Sequence, residues 1–288
     1  MNDVGIKVAC MSLMWGRGNL STEDLPNWLG EVAEAGFNGA AVFEGELLRF
    51  TQEADFRGLL TDHNLALVSV DYSIDRDSDR LRRVCEFMQS LNARHLVTIG
   101  GLATRDTDPA EIAPLLNEIG ETALVYGVHA CYHNHTGNTG ETLEETEQLL
   151  ALTDPAKFFG FLDTGHATKD FVGHSAEKRA AMFLERNWDR IDFLEFKDWA
   201  EEHDLCTEVG AGVCDYEAVF RILKEKAIRA GSQSSRTVQW VARRLWSAQG
   251  RAGISSEADW AYDQDQQTTA WKDGSGSNRG RPGWVLHM

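Results

Sequence analysis

The sequence predicts an α/β protein: a (β/α)8 TIM barrel whose eighth unit is lost or degraded. Three observations carry this. Over the first 226 residues, short apolar runs alternate seven times with amphipathic segments of helical period. The runs are apolar throughout rather than at every second position, the pattern of strands buried on both faces of a parallel sheet. No GxGxxG follows the first run, which sets a doubly wound dinucleotide-binding sheet behind the barrel, and Gly100-Gly101 is a lone pair that reads as a turn.

The predicted strands are Val8–Met14, Gly39–Phe43, Ala66–Tyr72, His95–Ile99, His129–His133, Phe158–Leu162 and Ile191–Phe196. Between them, Leu25–Ala35 follows Ser21-Thr22-Glu23-Asp24, a good helix start. Leu81–Leu91, Ile112–Tyr126, Leu143–Leu152 and Tyr216–Lys226 also place apolar residues at helical spacing. After Lys226 the character changes. The tail is rich in Ser, Arg, Gln and Gly, holds no Phe and shows no buried-strand run. The predicted organisation is therefore residues 1–226 as barrel units one to seven and residues 227–288 as an atypical, irregular tail.

Composition narrows the function classes. The chain has 288 residues, 42% hydrophobic and 25% charged, ordinary values for one globular barrel. A net charge of -17 disfavours nucleic acid and anionic membranes as partners. The five cysteines are odd in number and none has CxxC spacing, so free buried thiols and a cytoplasmic location are expected. No basic-then-apolar leader and no run of about 18 apolar residues is present. A homo-oligomer stays open.

In such a barrel, functional side chains stand at the C-terminal ends of the strands. Strand five ends in Tyr132-His133-Asn134-His135, with Glu141 following; strand six ends in Asp163-Thr164-Gly165-His166; strand seven ends in Glu195-Phe196-Lys197-Asp198. Three successive strand ends thus present His, Asp, Glu and Lys to one mouth. Clustered carboxylates repel one another without a cation, and imidazole with carboxylate suits Mn²⁺, Co²⁺, Fe²⁺ or Zn²⁺. Each residue also has a plainer reading: Asp163 can cap the turn that follows it, and a lone strand-end His can be a hydrogen-bonded core residue. Glu195, within Phe193-Leu194-Glu195-Phe196, needs a partner or a metal because burying it alone is costly.

The combination resembles the xylose-isomerase-like TIM-barrel superfamily of sugar isomerases, epimerases and dehydratases. Within it, the chain is similar to inosose dehydratase and its relatives in inositol and rhizopine catabolism. The resemblance runs from about Lys7 to Lys226. It rests on Glu34-Ala35-Gly36-Phe37-Asn38-Gly39, Tyr132-His133-Asn134-His135 with Glu141, Asp163-Thr164-Gly165-His166, Arg190-Ile191 leading to Lys197-Asp198, and Gly210-Ala211-Gly212-Val213.

The resemblance implies a divalent metal, Mn or Co first and Mg, Fe or Zn as alternatives, held by Glu141, Asp163 and Glu195. Glu195 falls where the family carries His, a departure. It implies a cyclitol or sugar substrate and metal-assisted proton abstraction beside a carbonyl, as a dehydratase, or as a hydroxypyruvate isomerase or ketose 3-epimerase. His133, His135, His166 and Lys197 are the candidate catalytic groups; Trp15, Glu44 and Asp198 are candidate substrate contacts.

The family's strand-eight Glu has no counterpart, since the chain reads Ala227-Ile228-Arg229-Ala230-Gly231-Ser232 there. Back-translation in a frame starting on the third base of the Lys226 codon permits Gly-Tyr-Ser-Gly-Trp-Leu-Thr-Val-Glu-Pro-Asp, the missing turn, strand and ligand in order. A frameshift after Lys226 is the preferred account and a divergent tail the other. On the first, the tail builds no proper eighth strand, Arg236–Val241 being its best candidate, and the chain is inactive or weakened.

Overall fold

A computed structural model of the chain describes residues 8–15, 20–230, 240–242, 258–263 and 268–273. The strands are β1 (Val8–Met11), β2 (Gly39–Phe43), β3 (Ala66–Ser73), β4 (His95–Ile99), β5 (His129–His133), β6 (Phe158–Asp163), β7 (Ile191–Phe196), β8 (Asp198–Ala200), β9 (Asp204–Thr207), β10 (Trp240–Ala242), β11 (Ala258–Asp263) and β12 (Thr268–Asp273). The α-helices are α1 (Leu25–Glu34), α2 (Glu44–Leu47), α3 (Glu53–Asp62), α4 (Ser78–Ser90), α5 (Pro109–Val125), α6 (Leu143–Leu152), α7 (Thr164–Asp170), α8 (Ala176–Arg186) and α9 (Tyr216–Ala230). The sheet closes in the order β1-β10-β7-β6-β5-β4-β3-β2, all neighbours parallel.

Local chemistry sets the helix starts. Thr142 and Glu145 form a capping box on α6, the hydroxyl accepting from the Glu145 N–H and the carboxylate from the Thr142 N–H. Asp108 accepts from the Ala110 N–H and Pro109 opens α5, where a missing N–H costs nothing. Four helices, α2, α3, α7 and α8, had no counterpart in the sequence expectation. α3 buries only Phe56 and Leu60, too thin a stripe to register as a period. β1 stops at Met11, and a 3₁₀ turn, Ser12–Trp15, takes the rest of the expected run.

The packing has two shells. Leu and aromatic residues of the helices meet the outward strand faces in two large clusters, one around β1 to β5 and one around β6 and β7. Inside the barrel, Ala9, Met11, Ala41, Val68, Val97, Cys131, Phe161 and Phe193 form a separate plug. Alternation along β5 puts His129, Cys131 and His133 on this inner face. The plug therefore separates two polar layers. At the N-terminal ends of the strands, Asp192 lies 2.7 Å from His129 Nδ1 and 3.3 Å from His95 Nε2. At the C-terminal ends lies the second layer, described below. Cys10, Cys85 and Cys131 are buried free thiols, and Cys214 is a half-buried one.

The eighth position of the barrel holds β10. It is three residues long and pairs Val8 with Trp240 and Leu194 with Trp240. It overlaps the Arg236–Val241 segment, and no helix follows it among the described residues. The expectation of an irregular tail over 227–288 falls mostly outside the described residues; within them are the end of α9, β10 and the antiparallel pair β11–β12. No described helix is long and apolar enough to cross a membrane.

Candidate active site

The site is built by parallel register. Asp163, the last residue of β6, stands opposite Glu195 of β7, and His133, the last of β5, stands opposite Phe161. His133 stacks on the Phe161 ring, 4.7 Å between centroids, which aims its other edge across the mouth. Ligand atoms of His133, Asp163 and Glu195 lie within 4.8 Å of one another, and all three residues are buried.

Each of the three is held. The Asn134 amide clasps the Asp163 backbone, accepting from its N–H at 2.8 Å and donating to its carbonyl at 3.1 Å. Asp163 divides its work: Oδ1 accepts from the His166 N–H at 2.9 Å as the cap of α7, and Oδ2 faces the cluster. The turn-capping and site readings of Asp163 thus hold together, one oxygen each. His133 donates from Nδ1 to the Asn134 carbonyl at 2.9 Å. Its Nε2 then faces Glu195 Oε2 at 3.3 Å and Asp163 Oδ2 at 3.6 Å. An imidazole nitrogen between two carboxylate oxygens requires a cation or a proton among them.

Lys197 supplies one positive charge. Its ammonium is ion-paired with Asp163 Oδ2 and lies 3.8 Å from Glu195 Oε1. The Lys197 stem crosses over Gly165, where a Cβ would come within 2.8 Å of Lys197 Cγ, so the glycine is what lets the lysine in. Burial alone would raise the Asp163 carboxyl; its neighbours, the Lys197 ammonium foremost, outweigh that and hold it well below the usual range. Glu195 is lowered in the same way, with burial opposed first by Lys197. Two carboxylates against one ammonium, with an imidazole nitrogen alongside, form a donor set that fits a divalent ion.

Beside this set stand two further histidines. The His135 and His166 rings are 4.0 Å apart between centroids, and each lies within 6 Å of the His133 ring (5.4 and 5.8 Å). Burial pulls both down to about 3, so both are neutral near pH 7. Thr136 reaches His166 Nδ1 through its N–H at 3.2 Å and its hydroxyl at 2.9 Å, and the hydroxyl also meets Asp170 Oδ2 at 2.5 Å. Thr136 and Asp170 were absent from the sequence expectation. The signal for Asp170 was its place four residues after His166 on one helix face.

Three expected residues are engaged elsewhere. Glu141, expected as a metal ligand, does not join the cluster: it accepts from the Gly137 N–H and pairs with Arg105 at 3.7 Å, because the loop folds it back on itself. His133, expected as a catalytic group, stands in the cluster that could hold an ion. Asp198, expected to touch substrate, is spent on backbone. It accepts from the N–H groups of Trp199, Gly210, Gly212 and Cys214, closing the loop after β9, and Gly212 leaves no room for a Cβ beside it. Glu44 opens α2, pairs with Arg80 at 2.7 Å and accepts from the Ser73 N–H at 3.3 Å. Burial outweighs Arg80 and raises it to about 7. Trp15 ends the 3₁₀ turn, and its side chain lies outside the described residues. No fourth ligand comes from β10, whose sequence Trp240-Val241-Ala242 contains no ligating residue type.

The comparisons agree with this fold. Residues 29–233 match the family described as xylose isomerase-like TIM barrel. An inosose dehydratase from Lactiplantibacillus plantarum is 29% identical over 197 residues, 61% of this chain and 63% of the relative. The chain thus spans somewhat under two thirds of the length of that relative. Among solved structures, a D-allulose 3-epimerase from Methylomonas aligns with TM-score 0.64 at 17% identity, covering 87% of each chain. A protein described as IOLI with a binding zinc atom aligns with TM-score 0.60 at 17% identity, covering 83% of this chain and 89% of that one. With the matched segment taking in most of the barrel and the polar strand ends gathered at one mouth, the chain belongs to the xylose isomerase-like TIM barrel family.

Proposed function

We propose that the chain is a divalent-metal-dependent dehydratase of a cyclitol or sugar ketone, of the inosose dehydratase kind. The observation that carries the reading is the convergence of His133, Asp163 and Glu195 on one point at the barrel mouth. Those three residues would hold the ion. When bound, it supplies a Lewis acid for a substrate carbonyl and a neighbouring hydroxyl.

The rest is done by the chain. Lys197 neutralises part of the carboxylate charge and so tunes how strongly the pair draws a cation. His135 and His166, neutral and adjacent, are the groups placed to take a proton from carbon beside the carbonyl and to return one to the departing hydroxyl. The helix-facing clasp by Asn134 keeps the strand-five and strand-six ends in register, so the distance between ligand and proton-transfer groups is fixed.

A second reading, isomerisation or epimerisation of a ketose, is favoured by the solved structures with the same fold, among them the D-allulose 3-epimerase. The two differ in whether the proton returns to the substrate or a hydroxyl leaves. The test is to measure metal content of the purified chain, then turnover of an inosose and of a ketose panel with Mn²⁺, Co²⁺ and Zn²⁺. Metal-dependent loss of water from the inosose supports the first reading; metal-dependent epimerisation with no water loss supports the second. Absence of divalent-ion binding and of both turnovers in this chain and in its frame-corrected counterpart overturns both.

A further inference from the structure

His135 and His166 touch at ring distance, are both buried or half-buried, and sit beside the same donors, yet the loop after β5 treats them in opposite ways. A backbone carbonyl can only accept a hydrogen bond and a backbone N–H can only donate one. His135 Nδ1 lies 2.7 Å from the Thr136 carbonyl, so Nδ1 carries the hydrogen and Nε2 is left bare. His166 Nδ1 receives the Thr136 N–H at 3.2 Å, so Nδ1 is bare and Nε2 carries the hydrogen. Both instructions come from one residue, Thr136: its C=O sets one ring and its N–H the other.

The His166 Nε2–H is buried and has no hydrogen-bond partner among the described residues. The residue is 2% exposed, and the nearest carboxylate oxygen, Asp163 Oδ2, is 3.9 Å away, beyond hydrogen-bond reach. A buried donor left unsatisfied is costly, so a site that keeps one is shaped for an acceptor that arrives with the ligand. His135 Nε2 makes no hydrogen bond among the described residues and offers the complementary lone pair. The Thr136 hydroxyl can donate to or accept from His166 Nδ1, and it also donates to Asp170 Oδ2, itself 3.5 Å from that nitrogen; the peptide N–H is the one neighbour whose role is fixed as a donor, so the peptide sets the tautomer.

We propose that Thr136 is a positioning residue whose peptide locks His135 and His166 in opposite tautomers, making His135 the fixed hydrogen acceptor and His166 the fixed hydrogen donor of the site. The assignment of these two poles to a reaction rests on the function proposed above; the tautomers themselves do not.

The experiment is two-bond ¹H–¹⁵N correlation of the full, metal-stripped chain labelled with ¹⁵N-histidine, at neutral pH, with His135→Gln and His166→Gln used for assignment. The expected spectrum shows the Nδ1–H pattern for His135 and the Nε2–H pattern for His166. Thr136→Val, which keeps the peptide and removes the hydroxyl, is expected to leave both patterns in place. Thr136→Pro, which removes the N–H, is expected to release His166 into a mixture; if that variant does not fold, the wild type and Thr136→Val decide. The same tautomer on both rings, an imidazolium on either, or a His166 pattern that switches in Thr136→Val overturns the proposal. Correct tautomers in a chain that turns over no inosose or ketose would instead count against the proposed function alone.

Discussion

Replacing Lys197 with Met is the sharpest perturbation of the mouth. Met keeps the apolar stem that crosses Gly165 and removes the ammonium. In the native chain that ammonium meets Asp163 directly and Glu195 Oε1 at 3.8 Å. At that separation and an effective dielectric of about 20, the attraction to Glu195 alone is about 4 kcal/mol. Desolvation of the three charges offsets much of it, but removing one partner strands the others, and breaking a buried ion pair in that way costs about 3–5 kcal/mol. For a domain of this size, at about 2–4 °C per kcal/mol, melting in a chelator is expected to fall by about 6–20 °C. Zinc should reverse this. With the competing ammonium gone, the two carboxylates and His133 are left to the ion alone, so the variant is expected to bind zinc more tightly than the wild type and to recover its melting temperature as zinc rises. The assay is thermal melting by circular dichroism with chelator and across a zinc titration, alongside calorimetric zinc affinity. Equal melting of the two chelated proteins, together with unchanged zinc affinity, would refute the reasoning that Lys197 is the resident counter-ion of a cation site.

Three further outcomes are expected. Asp163→Ala should lose divalent-metal binding while keeping the far-ultraviolet spectrum of the barrel, since Oδ2 faces the cluster; full metal content in the variant would remove Asp163 from the ligand set. At the opposite end of the barrel, burial would raise Asp192, but the hydrogen bonds from His129 and His95 hold it well below its ordinary value. Because the folded value lies under the unfolded one, this stabilisation is complete above about pH 4 and is lost as pH falls further. Asp192→Asn should therefore be less stable than wild type in urea at pH 7, with the gap closing on acidification; a gap that widens toward acid sinks the assignment. Resequencing the gene around codon 226 is expected to reveal a shifted frame, and the corrected chain should exceed the present one in bound metal. An unaltered frame, with a stable and active chain, would establish β10 as the genuine eighth strand.

Much of the barrel was legible because its signal is local and repeated. Runs such as Gly39–Phe43 and Phe158–Leu162 are apolar end to end, which is what burial between a plug and a helix layer demands. Polar residues clustered at three consecutive strand ends were equally plain, and a parallel sheet must bring those ends to one rim. Helix α3 escaped because a thin apolar stripe, Phe56 and Leu60, gives little periodicity. Glu141 was misplaced for a different reason. It lies eight residues beyond His133, and no pattern in the chain says whether such a loop returns a carboxylate to the mouth or turns it to Arg105.

The sequence by itself determined the strand–helix order, the rim on which chemistry collects, and the residue types available there, because side-chain periodicity and strand-end position follow from the backbone alone. Tertiary structure decided which of those residues act together. Asp163 and Glu195 meet through register between β6 and β7, Lys197 reaches them only because residue 165 lacks a Cβ, and Asp198, next to Lys197 in the chain, is turned away to hold four backbone N–H groups. The orientation of a charged side chain is set by which unsatisfied partner lies within a few ångströms, and those partners are supplied by segments far apart in sequence.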